Sequence, residues 1–147
     1  MRDKCILPFL ITERLEFFQL TQADLPELEI LLGDTEIMYA WEHGFTKIES
    51  QAWLNENLRR YSSDGYSYWA VRKKNDGSLI GVMGILKEVA EGKQYIGIGY
   101  ILNKKYWGQG YAGEGTEALC QYAFRKLQLQ TLTAQVRTNN FASQHIA

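Results

Sequence analysis

Only two cysteines occur in the 147 residues, Cys5 and Cys120, with neither a CxxC spacing nor a histidine nearby. That argues against a disulfide framework and against a metal site, and for a reducing compartment. Proline is as scarce, at two, and no Pro/Ser-rich linker, internal repeat or low-complexity run breaks the chain. One domain spanning residues 1–147 is therefore expected. There is no basic excess, since 16 Lys and Arg stand against 17 Asp and Glu. Nucleic-acid surfaces usually show such an excess or a cluster, so no nucleic-acid partner is expected. The short groups Arg72-Lys73-Lys74 and Lys104-Lys105 read as solvated strand ends. No apolar run is long enough to span a bilayer. The start, "MRDKCILPFLI", imitates a signal peptide, but Pro8 interrupts it and Thr12-Glu13-Arg14 stands where small residues would mark cleavage. These features predict a soluble, cytoplasmic chain with no membrane contact.

What is present suits a globular core, with 46% of residues hydrophobic and 13% aromatic. "RLEFFQL", 14–20, predicts a first strand. "TQADLPELEILLGD" predicts a helix capped by Thr21, with Pro26 in its first turn and Gly33 ending it. "TKIESQAWLNENLRRY" predicts a second helix. Thr46 and Glu49 fit a capping box there, and Ile48, Leu54, Leu58 and Tyr61 form its apolar stripe. Strands follow at 66–73, 79–86 and 94–102, the first two joined through the turn signal Asn75-Asp76-Gly77. Gly97 and Gly99 within the third predict a bulge or a close approach by another group. A helix from about Gly113 to Leu127 should place Glu114, Glu117, Gln121 and Arg125 on its polar side and Ala118, Leu119, Tyr122 and Ala123 on its core side. A strand at 131–137 and the start of a last helix complete the order β-α-α-β-β-β-α-β-α. This is an α/β (α+β) domain with a mixed sheet.

Between the third of those strands and the helix lies "NKKYWGQGYAGEG", with glycines at 108, 110, 113 and 115. A strand, a glycine-rich turn and a helix together form an anion site. The helix N-terminus presents unpaired N–H groups and a partial positive charge. The spacing matches neither a Walker loop, which ends in Gly-Lys-Ser/Thr, nor a Rossmann fingerprint, which opens a run of βαβ units. Spacing alone leaves two readings open, a cradle for a phosphate-bearing ligand or a helix-capping turn.

"YILNKKYWGQGYAGEGTEALCQYAF" resembles motif A of the GCN5-related N-acetyltransferase (GNAT) superfamily, and in particular the branch of the ribosomal-protein N-terminal acetyltransferases. The superfamily loop runs Gln/Arg-x-x-Gly-x-Gly/Ala. Trp107-Gly108-Gln109-Gly110-Tyr111-Ala112 fills it, with Trp107 departing from Gln/Arg. The likeness continues in order from "TERLEFFQLTQADLPEL" through "MYAWEHGFTKIESQAWL" and "YWAV" to "NNFAS".

The resemblance implies acetyl transfer from acetyl-coenzyme A to a primary amine, of a protein N-terminus or a small molecule, in a ternary complex and without a metal. The cofactor's pyrophosphate would lie on the N–H groups of Gly108, Gln109, Gly110, Tyr111, Ala112 and Gly113. Its pantetheine arm would lie beside Tyr100, Ile101 and Leu102, in a splay between the strands at 94–102 and 131–137. An N–H of residues 97–102 is the candidate oxyanion donor. Asn140 would hydrogen-bond the arm and Ser143 would protonate the leaving thiolate, although both residues also suit a helix cap. Gly97 and Gln135 stand where many relatives carry a basic Glu. The remaining bases are Glu42, His43 or water, and Trp41, Phe45 and Trp53 suit an acceptor pocket. Relatives carry two further strands, so a truncated form, or an edge covered by a partner subunit such as a homodimer, is expected. The competing reading is a non-catalytic module that binds coenzyme A or another protein.

Overall fold

The computed structural model describes residues 7–127 and 133–134. Six strands form one sheet in chain order, β1 (Leu10–Ile11), β2 (Leu15–Phe18), β3 (Tyr68–Lys73), β4 (Leu79–Ala90), β5 (Lys93–Leu102) and β6 (Thr133–Ala134). The first five run antiparallel, and β6 lies parallel to β5 through Gly97↔Thr133 and Ile98↔Ala134. Among the described residues three α-helices accompany the sheet, α1 (Leu25–Gly33), α2 (Lys47–Ser63) and α3 (Tyr111–Arg125). This is the mixed α/β sheet that the sequence predicts, with one strand more. The apolar start that imitates a signal peptide instead supplies β1, paired with β2 through Leu10↔Phe17 and Ile11↔Glu16. Among the described residues no helix is long and apolar enough to cross a membrane.

Alternation along the strands divides the core in two. Leu15, Phe17, Trp69, Val71, Met83, Ile85, Ile98 and Leu102 pack with Tyr111, Leu119 and Ala123 of α3. Phe18, Leu20, Ala70, Val82 and Ile101 pack with Leu28, Leu31 and Leu32 of α1 and Leu54 of α2. Helices therefore cover both faces, because successive strand side chains point to opposite sides. The α2 cap forms as its sequence requires, with Thr46 Oγ1 accepting from the Glu49 N–H and Glu49 Oε1 from the Thr46 N–H. Asn57 ties this helix to β3. It donates to the Trp53 carbonyl at 2.8 Å, and it accepts from the Tyr68 N–H at 3.1 Å and from the Ser67 hydroxyl.

Several expectations are corrected. Arg72 is no solvated strand end but lies buried, its Nη2 2.9 Å from Asp24 Oδ1 and 2.7 Å from Glu27 Oε1. Burial opposes its charge, and the carboxylates of Glu27 and Asp24 more than offset this, raising its pKa. Ile48 is exposed, since it sits in the first turn of α2 ahead of the residues that meet the sheet. Thr21 caps a short 3-10 turn at Gln22–Asp24, and Gly33 is the last residue of α1 without a left-handed cap. The register shift lies at Val71/Arg72, whereas β4 and β5 pair without interruption. Gly99 instead answers a close approach. A Cβ there would lie 3.0 Å from Tyr68 Oη and 3.1 Å from Leu86 Cδ1.

Candidate active site

The four glycines of the loop serve three different needs. Gly108 and Gly110 have φ of 75° and 84°, in the left-handed region where a side chain is strained. Gly110 is the N-cap of α3, which starts at Tyr111, two positions earlier than the periodicity predicts. Gly115 faces the sheet, where a Cβ would lie 2.7 Å from Met83 Cε and closer still to Sδ. It sets how near the helix can come to β4. Beyond its own helix, a Cβ at Gly113 would meet no atom of the described residues within 4 Å. That leaves the first turn of α3 open on its outer side.

The first main-chain bond across this turn runs from the Glu114 N–H to the Gly110 carbonyl, at 3.0 Å. The N–H groups of Tyr111, Ala112 and Gly113 thus precede the helical ladder. The side chains of Tyr111 and Ala112 are buried in the core, so only their main chain can meet a ligand. Gly108, Gln109 and Gly110 are exposed. The Trp107 indole N–H donates to the Leu102 carbonyl at 3.0 Å and the Gln109 amide to the Lys105 carbonyl at 2.9 Å. The first bond folds the turn back onto the end of β5, and the second ties it to the short 3-10 turn at Lys104–Tyr106. Ile101 and Leu102 are buried there and Tyr100 is half-buried.

Sequence reasoning missed the group that braces this turn. Glu114, expected on the polar side of its helix, reaches the β1–β2 hairpin. It accepts from Thr12 Oγ1 at 2.5 Å, from the Arg14 N–H at 2.9 Å and from Arg14 Nε at 2.6 Å. Arg14 Nη1 also donates to the Gln109 carbonyl at 3.1 Å, and its guanidinium lies 4.1 Å from the centre of the Tyr111 ring. Burial pushes the Glu114 carboxyl up, but the bonds from Thr12 and Arg14 outweigh it and hold the group below its usual range. The sequence carries a trace of it in "TERL", a part of the GNAT resemblance in which no local pattern ties Arg14 to the glycine turn.

On the other face of the sheet, Tyr68, Gly84 and Gly99 form one row across β3, β4 and β5. Tyr68 spans this row, its hydroxyl arriving over Gly99, and Trp53 of α2 packs against its ring with centroids 5.3 Å apart. Trp41, Phe45 and Trp53 all rim the core on this side. His43 stands at the surface between α1 and α2. Its Nε2 is 2.9 Å from Glu49 Oε2 and its ring 5.5 Å from that of Phe45. The Glu49 hydrogen bond raises its pKa. Glu42 is exposed, with a left-handed φ of 73°. The structure thus gathers the loop residues at the end of β5 and leaves His43 and Glu42 on the α1–α2 connection. Asn140, Ser143 and Gln135 lie outside the described residues, as does Cys5. Cys120 is a free, half-buried thiol.

This arrangement agrees with what similarity to known proteins gives. The family model described as an acetyltransferase (GNAT) domain matches residues 14–147. The chain belongs to the GNAT acetyltransferase family. It is an acyltransferase, and acetyl-coenzyme A-dependent acetylation is the chemistry of that family. The uncharacterized protein YkkB of Bacillus subtilis is 29% identical over 94% of this chain and 81% of its own length. Among solved structures, the acetyltransferase from Agrobacterium tumefaciens superposes with a TM-score of 0.79 at 23% identity, covering 99% of this chain and 86% of that one. The ribosomal L7/L12 alpha-N-protein acetyltransferase RimL, in complex with coenzyme A, gives 0.75 at 20% identity, over 96% and 80% of the two chains. These two likenesses are of fold.

Proposed function

We propose that this GNAT protein transfers an acetyl group from acetyl-coenzyme A to a primary amine by direct attack in a ternary complex. The observation that carries this reading is the open turn at the N-terminus of α3. Two left-handed glycines and an unobstructed Gly113 leave its N–H groups accessible, as a diphosphate requires. The residues fit the group. The N–H groups of Gly108 through Gly113 would hold its pyrophosphate, and the edge of β5 at Tyr100, Ile101 and Leu102 would lie beside its arm. Acetyl-coenzyme A supplies the acetyl thioester.

The chain's own groups meet the remaining demands of amide formation, which are a neutral amine, a stabilised carbonyl oxygen and a protonated thiolate. An N–H of residues 97–102 donates to the oxygen. Ser143 returns a proton to sulfur, and Asn140 orients the arm. His43, Glu42 or water accepts the proton of the amine. The acceptor class is a protein N-terminus or a small-molecule amine. The RimL likeness, to an enzyme of alpha-N-protein substrates, supports the former. Free thiol release on mixing with acetyl-coenzyme A and candidate amines tests the proposal. No release across protein N-termini, polyamines and amino acids would sink catalysis. Stabilisation by coenzyme A without release would mark a binding module instead.

A further inference from the structure

We propose that Arg14 is a positioning residue for the phosphate-binding turn, acting by bracing the turn's main chain and by neutralising Glu114. The inference rests on the cofactor reading above. Glu114 lies in the first turn of α3, where a carboxylate favours the helix dipole. The same carboxylate opposes an anion seated at that N-terminus, because like charges a few ångströms apart repel strongly near a protein surface. The chain draws it aside. Glu114 turns toward the β1–β2 hairpin and pairs with Arg14 Nε at 2.6 Å.

From that pairing Arg14 spans the turn. Nη1 holds the Gln109 carbonyl at 3.1 Å, a Cβ on Gly110 would lie 3.4 Å from Nη2, and the guanidinium covers the Tyr111 ring. One side chain therefore bonds Gln109, passes beside Gly110, covers Tyr111 and pairs with the first acidic group behind the turn. Its anchorage is the sheet. The Arg14 carbonyl accepts from the Lys74 N–H at 3.0 Å, and Thr12 Oγ1 accepts from the Leu15 N–H at 3.0 Å while donating to Glu114.

A main-chain detail makes the electrostatic part separable from the structural part. In R14A the Glu114 carboxylate keeps the Thr12 hydroxyl and the residue-14 N–H as donors, so it stays beside the turn without its counter-charge. Titration calorimetry with coenzyme A on the full chain is the test. R14A should weaken binding by about tenfold, and R14K, with the charge but not the planar fork, should lie between R14A and the wild type. R14A/E114Q should recover to within about threefold of the wild type, because the uncompensated carboxylate is gone. E114Q alone, which leaves Arg14 uncompensated, should bind no more weakly than the wild type and keeps the test alive if R14A fails to fold.

Equal affinity of R14A and the wild type would overturn the proposal. So would a double variant no better than R14A, or weaker binding by E114Q. A wild-type protein without affinity for coenzyme A would overturn the cofactor reading itself, and that outcome appears before any variant is made.

Discussion

Gly113 and Gly115 stand two residues apart in one helix, yet alanine should act on them with opposite sign. Gly113 has ordinary helical backbone angles, and a Cβ there enters open space. Gly113→Ala should therefore stabilise the protein by about 0.5–1 kcal/mol, the helix-interior preference of Ala over Gly. Gly115→Ala gains the same preference but drives its Cβ into Met83, which is fully buried. The methyl would sit 2.7 Å from Met83 Cε and 3.4 Å from Phe17 Cζ. Carbon atoms prefer about 3.5–4.0 Å, so Met83 must move by roughly an ångström within a packed core. Such overpacking costs about 1–3 kcal/mol, toward the lower end here because methionine is flexible. The net for Gly115→Ala is about 1 kcal/mol of destabilisation, and the two variants should differ by about 1.5–2 kcal/mol. In a domain of this size that is a gap of roughly 3–8 °C in Tm. Thermal and urea unfolding of the two variants side by side measure it. A Gly115→Ala protein as stable as Gly113→Ala would refute the claim that Gly115 fixes the contact of α3 with the sheet.

Other substitutions probe the same architecture. Gly110→Asp should abolish stabilisation by coenzyme A while leaving the fold largely intact, because Asp tolerates left-handed angles better than most residues; loss of the cooperative unfolding transition would contradict this. Arg72→Ala should cost about 3–5 kcal/mol in urea unfolding, since it leaves the Asp24 carboxylate buried without its counter-charge. A loss below about 1 kcal/mol would show that this cluster contributes nothing to docking α1 on β3. The Glu114 carboxyl titrates below its unfolded value, so its stabilisation is complete above about pH 4.3 and is lost as pH falls through the lower, folded value. The urea midpoint should accordingly fall more steeply on acidification in the wild type than in Glu114→Gln. Parallel pH profiles would remove Glu114 from that account.

Local features were legible from the chain. The Thr46–Glu49 cap, the turn at 75–77 and the helix after the glycine turn depend on residues within one or two turns of each other, and each formed. The limits of that legibility follow from the same cause. Ile48 matches the apolar period of α2 but lies before the stretch that meets the sheet, so periodicity counts it as core while packing leaves it exposed. Arg72 belongs to a run of three cations and reads as surface, until α1 brings Asp24 and Glu27 to it. In the candidate site the glycine turn was recognised, whereas the Arg14–Glu114 brace, which joins residues 100 apart, was not.

By itself, the sequence determined the order of elements from β2 to α3, the glycine turn before α3 and, through collinear motifs, the GNAT family. Those are properties of neighbours along the chain, where hydrophobic period and backbone angle are set. Only the tertiary structure decided why each glycine is there, two for left-handed angles before the helix, one for helix–sheet contact, one for an open turn. It alone placed Arg14 against that turn. A contact between distant residues depends on which surfaces the fold apposes, and no local pattern encodes that.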